Sequence, residues 1–256
     1  MKTIKTQLLF AAIAISAVGF GSQSVNAQVI YTSGHGDVGV EYTPGETEFE
    51  PHWHLGTGAT VDGLPLAAEQ EYAPTGAIAR TSATTVTPTG SLDWLNVAAG
   101  TTVYRLGSSS HEPNLGFSAE EAGPDSDWEN STITITLSGW GAGNAGEVAL
   151  RSGTTSGATT FFSTLGNSAT SNNNTWAFDV GVGHQHLVWY FSALGDYELD
   201  FTWEGTYIGA GGPLDVSGTG TFNFQAVPEP STGLLLTLGI AGLALIRRKR
   251  GAAPTA

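Results

Sequence analysis

Two histidine pairs with the spacing His-x-His are the residues of this sequence best suited to chemistry. One pair is His52 and His54, in Pro-His-Trp-His, and the other is His184 and His186, in His-Gln-His. On a β-strand, residues i and i+2 project to the same face, so each pair would present two imidazoles together. Neutral imidazole is a common ligand of zinc, copper, nickel and iron. The spacing therefore predicts metal ligation, with zinc or copper as the expected ion.

A fifth histidine, His35, lies in Gly-His-Gly-Asp, with Asp37 two residues later. If the two pairs meet at one centre, they supply four nitrogen ligands, and His35 or Asp37 could complete or replace part of that set. Common ligation at about 2 Å per bond requires the ligand atoms to come within about 5 Å of one another. The competing interpretation is that each pair lies on a solvated strand face without a metal. The predicted metal-site residues are His35, His52, His54, His184 and His186.

An acidic segment and a glycine-rich segment match known ligand motifs less closely. Asp125, Asp127 and Glu129 alternate as oxygen ligands do in a calcium loop, but the glycine and the bidentate glutamate of an EF-hand are missing. A solvated acidic loop is the favoured interpretation. Residues 141–146 match G-x-G-x-x-G, but residues 147–150 resemble a strand instead of a helix, so the match predicts a turn.

Catalytic residues are not predicted, because the sequence has no G-x-S-x-G motif and no evident Ser/His/Asp grouping. A secreted hydrolase is the least favoured function, since nothing selects one pair from the plentiful carboxylates. The alternative to metal binding is a carbohydrate-binding module of an exopolysaccharide matrix, with Trp53, Trp189 and Trp203 among the tryptophans that could stack on sugars. In a β-sandwich such aromatic side chains more often belong to the core.

The elements that must position these residues are β-strands. Residues 132–137 alternate Thr-Ile-Thr-Ile-Thr-Leu with the period of a half-buried strand. Glycine-rich and asparagine-rich breaks separate the candidate strands, whereas residues 65–90 lack a pattern and predict a long loop. We predict an all-β domain, a β-sandwich of antiparallel strands, between an N-terminal signal helix and a C-terminal hydrophobic sorting helix. Further predicted strands are residues 187–191, 197–203 and 220–224.

Composition limits the partners of this domain. Between residues 28 and 227 the cations are three arginines, against 22 of the chain's 23 acidic residues. Such a surface repels phosphate backbones and attracts cations, so no nucleic-acid partner is expected. Cysteine is absent, which excludes a disulfide framework and thiolate ligands.

The first 27 residues have the pattern of a secretory signal peptide, which would be removed by signal peptidase. Lys2 and Lys5 provide the positive start, residues 8–20 are apolar, and Val-Asn-Ala stands at the expected cleavage position. Export across the inner membrane is therefore expected, with the all-β surface domain at residues 28–226.

The C-terminal tail has three parts in a fixed order. Val-Pro-Glu-Pro-Ser, containing Pro228, Glu229 and Pro230, precedes a hydrophobic stretch that we expect to form a transmembrane segment at residues 231–246. A basic cluster that would stay cytoplasmic follows, and residues 251–256 extend beyond it. Residues 227–250 resemble the PEP-CTERM sorting signal, which implies recognition by an exosortase-like transpeptidase and a context of extracellular polysaccharide. The basic cluster consists of Arg247, Arg248, Lys249 and Arg250.

Residues 31–208 resemble the choice-of-anchor M type of bacterial surface domain, which is related to the actinobacterial surface-anchored repeat. The resemblance is carried by residues 33–42, 112–121 and 184–197. It implies a surface domain held by varied anchors, and it includes His35, His184 and His186 among the motif residues. Together these patterns predict an exported, non-enzymatic protein of the cell surface or extracellular matrix that binds a transition metal through clustered histidines.

Overall fold

The computed structural model describes residues 28–81, 84–87, 89–90, 92–107, 112–165 and 174–228. The predicted signal peptide at residues 1–27, Glu229 and Pro230 of the sorting motif, the predicted transmembrane segment and the basic cluster lie outside these ranges. Within the ranges, no helix combines the length and the apolar character that crossing a membrane requires.

Short 3₁₀ turns interrupt a chain of β-strands in the described residues, so the all-β prediction is confirmed. The 3₁₀ turns are Pro74–Gly76, Asp93–Leu95, Asp125–Asp127, Glu129–Ser131 and Val180–Val182. The strands are β1 (Val29–Glu41), β2 (Glu50–Leu55), β3 (Thr60–Val61), β4 (Leu64–Pro65), β5 (Gln70–Tyr72), β6 (Ala77–Thr81), β7 (Thr84–Val86), β8 (Val103–Leu106), β9 (Pro113–Glu121), β10 (Thr132–Trp140), β11 (Val148–Arg151), β12 (Thr160–Ser163), β13 (Thr175–Asp179), β14 (His184–His186), β15 (Val188–Phe191), β16 (Gly195–Tyr207) and β17 (Leu214–Ala226).

The strands form two open sheets. The larger sheet has twelve strands, eight of which follow the order β13-β10-β16-β17-β6-β1-β2-β5. Strand β9 also pairs with β1, and β14 pairs with β9. Strand β3 pairs with the start of β1, and β4 pairs with β3. The smaller sheet has the order β12-β11-β15-β8-β7. Strand β1 is long enough to pair with β3 and β6 near its start and with β2 and β9 further along, so it joins the two halves of the larger sheet.

The prediction of purely antiparallel pairing is wrong at three places. Strand β1 pairs in parallel with β6 and with β9, and β6 pairs in parallel with β17. A parallel pair needs a long crossover connection, and the chain supplies it by building other strands between the partners. Alternation of polar and apolar residues fixes which face of a strand is buried but leaves the direction of its neighbour open.

The predicted loop at residues 65–90 contains a central strand. Strand β6 lies between β1 and β17 in the larger sheet. Its inward residues are Ala77, Ala79 and Thr81, all fully buried. Because these side chains are small, the segment carries little hydrophobic signal even though it alternates.

Aromatic side chains fill the interior and join the sheets. Trp189 of β15 stacks on Phe224 of β17, with ring centroids 4.8 Å apart, and on Phe117 of β9 at 5.7 Å. Trp53 of β2 meets Phe222 of β17 edge to face at 5.1 Å. Aromatic pairs of this kind add to the burial energy of a core. The core therefore holds β2, β9 and β15 firmly on their inner sides.

Candidate metal centre

The predicted histidines lie on β1, β2 and β14 and share one outer face of a run of five neighbouring strands in the larger sheet. The strands are β5, β2, β1, β9 and β14 in spatial order. Residues opposite one another in a ladder project to the same side. One row across this face consists of His54, Asp37, Gly116 and His186, and the next consists of His52, Gly39, Ser118 and His184. His35 precedes Asp37 by two residues, so all five histidines share what we call the histidine face.

The opposite sides of the same strands are buried in the core. Val38, Trp53 and Phe117 are fully buried, and each alternates in sequence with residues of the histidine face. This period of two is the physical reason that a polar ligand set can stand on a well-packed scaffold. The spacing His-x-His predicted that each pair would share a face, and each pair does so.

His35, His184 and His186 form the first compact group, which we call the three-histidine site. One nitrogen from each ring lies within 4.8 Å of the others. The ring centroid of His35 is 5.2 Å from that of His184 and 4.9 Å from that of His186. The side chains of His35 and His184 keep 36% and 38% of their exposure, so the group is open to solvent.

Two carboxylates lie behind the imidazoles of this site. Glu120 Oε1 is 2.8 Å from Nδ1 of His184, and Asp37 Oδ2 is 3.0 Å from Nε2 of His35. A carboxylate that accepts a hydrogen bond from one ring N–H fixes the tautomer and leaves the other nitrogen as a ligand. In this arrangement the free lone pair of His184 is on Nε2.

Buried polar atoms without hydrogen-bond partners are concentrated at this site. Asp37 is fully buried, and neither of its oxygens has an aligned donor among the described residues, although His35 is close. Nδ1 of His186 is also buried and has no partner within the same residues. Burying a carboxylate with unmet oxygens is costly, and a nearby cation relieves that cost. The electrostatics of the site therefore favour a bound positive charge.

The protonation states of two rings differ. Burial lowers the pKa of His186 below its ordinary value, which keeps this imidazole neutral at neutral pH and able to act as a ligand. The short contact with Asp37 raises the pKa of His35, because the anion stabilises the imidazolium. The imidazole of His35 is therefore protonated more readily than that of His186.

The expectation of one centre shared by both pairs is corrected by the structure. His52 and His54 form a different group with Glu121, in which one ligand atom from each residue lies within 4.8 Å of the others. Strands β1 and β9 stand between β2 and β14. Three strand spacings of roughly 4.8 Å put the two pairs about 14 Å apart.

Glu120 and Glu121 are site residues that the sequence patterns did not reveal. Each contacts a histidine, as described above for Glu120 and His184, and Glu121 Oε2 is 3.1 Å from His52 Nε2. The only available signal was a pair of acidic residues at the end of a segment with alternating pattern.

The tryptophans proposed for sugar stacking are core residues. Trp53 and Trp189 are fully inaccessible, and Trp203 keeps 1% exposure. These three rings cannot form an exposed platform. The acidic residues Asp125 and Asp127 lie in a 3₁₀ turn without a buried member.

Comparison with known proteins identifies one segment. The family described as the PEP-CTERM protein-sorting motif matches residues 226–250. No curated protein and no solved structure matches the chain. The resemblance of residues 31–208 to the choice-of-anchor M domain stays a prediction. The sorting motif indicates that the chain is an exported protein, transiently anchored in a membrane and then displayed at the surface by exosortase-type machinery.

Proposed function

We propose that this exported surface protein is a non-enzymatic metal-binding protein, and that its three-histidine site takes zinc or copper. The observation that carries the proposal is the gathering of three imidazole nitrogens within 4.8 Å of one another, from strands far apart in the chain. Nitrogens bound to zinc at about 2.1 Å in tetrahedral geometry lie about 3.4 Å apart. Small rotations of the rings bring the three nitrogens to that separation.

The surroundings of the site support a cation. Glu120 stands behind His184 in the relation that metal-ligating histidines have to second-layer carboxylates, and Asp37 is a second anion 3.0 Å from His35. The domain carries a large excess of acidic residues, which attracts cations to its surface. Copper is the alternative ion, because imidazole suits both metals.

The openness of the site favours reversible capture over catalysis. His35 and His184 remain more than one-third exposed, so a bound ion stays in contact with water. Catalytic sites usually exclude water and surround the reacting group. A half-exposed sheet face suits a protein that collects or holds metal at the cell surface.

We also propose a division of the whole chain into two terminal targeting segments and one domain between them. We place a signal peptide at residues 1–27, a choice-of-anchor M type domain on a β-sandwich scaffold at residues 28–226, and a membrane segment at residues 231–246. The matched sorting motif supports the order of these parts, since such a motif requires export before sorting.

The test is a zinc titration of the exported protein, expressed with its own signal and purified without a polyhistidine tag. Bound metal is measured by mass spectrometry after dialysis, and affinity is measured by calorimetry. We expect His184→Gln to lose one zinc ion per chain. The matched control is Gln185→Ala, because Gln185 lies between the two histidines and projects to the other side of the strand. Equal zinc content in His184→Gln and in the wild type would overturn the proposal.

A further inference from the structure

We propose that the histidine face carries a second, separate metal site formed by His52, His54 and Glu121. One ligand atom from each of these residues lies within 4.8 Å of the others. The group shares no ligand with the three-histidine site, so this inference stands or falls independently of the proposed function.

The hydrogen bonding of His52 points to a cation at this place. Nδ1 of His52 is 3.0 Å from the carbonyl oxygen of Glu50, which can only accept, so Nδ1 carries the proton. In the neutral ring, Nε2 then presents its lone pair to Glu121 Oε2, 3.1 Å away. Two acceptors at this distance repel one another unless a positive charge lies between them. A metal ion bound between the two atoms supplies that charge.

The imidazole of His54 also lies between an acceptor on one side, Glu69, and the carboxylate of Glu121 on the other. Its Nε2 is 3.2 Å from Glu69 Oε1, while its Nδ1 is 3.7 Å from Glu121 Oε1. Nε2 of His54 can thus donate its proton in a hydrogen bond to Glu69, and Nδ1 faces Glu121, the same carboxylate that His52 faces. This is the relation between ligand and second-layer acceptor that fixes a metal-binding tautomer.

The distances fit an ion bound by all three groups. Ligand atoms held at about 2.1 Å from one ion at tetrahedral or octahedral angles lie about 3.0 to 3.4 Å apart. Glu121 Oε2 is 3.1 Å from His52 Nε2, and its other oxygen, Oε1, is 3.7 Å from His54 Nδ1. The two contacts use different oxygens of one carboxylate, which can bind an ion through either or both of them, and the ligand atoms of the three residues start within 4.8 Å of one another.

Burial and charge also require compensation here. His52 and His54 are each 8% exposed, and Glu121 Oε2 is buried without a hydrogen-bond partner among the described residues. The carboxylates of Glu41, Glu71 and Glu121 bring oxygens within 4.8 Å of one another. Glu41 and Glu71 are exposed, so water screens part of their repulsion, and the negative potential of the three carboxylates attracts a divalent cation.

The ligand chemistry differs from that of the three-histidine site. Two imidazoles and a carboxylate, with two more carboxylates nearby, are harder Lewis bases as a set than three imidazoles. Carboxylate oxygens suit manganese, whereas zinc is bound by both histidine nitrogen and carboxylate oxygen. The second site therefore takes a divalent ion with mixed nitrogen and oxygen coordination, and zinc is the probe for it.

The experiment measures zinc stoichiometry and coordination in the exported, untagged protein and its variants. We expect two zinc ions per wild-type chain, one in Glu121→Gln and one in His184→Gln. The matched control is Glu198→Gln, because Glu198 lies on β16, outside the five strands of the histidine face. Circular dichroism before titration verifies that each variant is folded.

X-ray absorption of the ion that remains in His184→Gln identifies the second site without any substitution in it. The spectrum should show two imidazoles and an oxygen ligand. Loss of all zinc from His184→Gln, or an unchanged zinc content in Glu121→Gln, would overturn the second site. If the three-histidine site fails instead, the wild type binds one ion that Glu121→Gln loses and His184→Gln retains.

Discussion

Glu120 and Glu121 are adjacent in the chain, yet Glu120 contacts His184 at 2.8 Å and Glu121 contacts His52 at 3.1 Å. Neighbouring residues of a regular strand point to opposite faces. The pairing of β1 with β9 shifts register between Gly39 and Glu41, so three steps along β9 match two steps along β1. This bulge brings both carboxylates to the histidine face, one towards each histidine pair.

The first prediction concerns Glu120→Gln. The substitution removes the negative charge behind His184 but keeps the size of the side chain. We expect the zinc affinity of the three-histidine site to fall about 10- to 100-fold, because second-layer carboxylates typically contribute that much. Competition with a zinc chelator measures the change. Glu121→Gln is the control, since it should leave the affinity of the three-histidine site unaltered while removing the other ion.

The second prediction concerns Asp37→Asn in the metal-free protein. Asp37 is fully buried, and its carboxylate oxygens lack hydrogen-bond donors among the described residues. Replacing this charge with a neutral amide should therefore raise the free energy of unfolding by about 1 kcal/mol. The same change should weaken zinc binding at the three-histidine site. Urea unfolding at pH of about 8.5 with a chelator tests the first part. A loss of stability of similar size would show that the carboxylate is well compensated without metal.

The third prediction is that the folding stability of the metal-free protein depends on pH through the protonation of His35. The contact with Asp37 raises the pKa of His35 above its ordinary 6.5. A raised pKa means that the folded protein binds the proton more tightly than the unfolded chain. The resulting stability is fully present below about pH 6.5 and is lost as the pH rises through the raised pKa.

The measurement compares the unfolding free energies of the zinc-free wild type and of zinc-free His35→Gln. The difference should be larger at pH of about 5.5 than at about 8.5. An equal difference at the two pH values would contradict the role of the His35 proton.

The fourth prediction concerns Tyr197, which closes the turn before β16. Its hydroxyl donates to the carbonyl oxygen of Ala193 at 2.8 Å and accepts from the nitrogen of the same residue at 3.2 Å. Tyr197→Phe leaves both backbone groups without this partner and should cost about 1 to 3 kcal/mol in unfolding free energy. Urea unfolding measures the loss, and a cost below about 0.5 kcal/mol would mean that water replaces the hydroxyl.

Burial also raises the pKa of Tyr197 from 10.0 to about 12. The contribution of its neutral hydroxyl is therefore complete below about pH 10 and is lost as the pH rises through about 12. Wild-type stability should fall over this alkaline interval more steeply than that of Tyr197→Phe.

Local sequence patterns were enough to predict that the fold is all-β and that the two histidines of each His-x-His motif lie on the same face of a strand. Residues 132–137 lie in β10, and residues 197–203 and 220–224 lie in β16 and β17, as their alternation predicted. Strand β6 escaped prediction because its inner positions hold small side chains, two alanines and a threonine, which give little hydrophobic signal. The position of Glu121 escaped prediction because a bulge, which alternation does not encode, turns its carboxylate to the histidine face.

The sequence by itself determined the export and sorting address at residues 226–250, since that signal is a contiguous string. It also determined that His52 with His54, and His184 with His186, would share a face, because side-chain direction on a strand depends only on parity. Only the tertiary structure decided that His35 joins His184 and His186, and that Glu121 joins the other pair. Which strands become neighbours depends on burying their apolar sides together over long chain separations, and no local period records that choice.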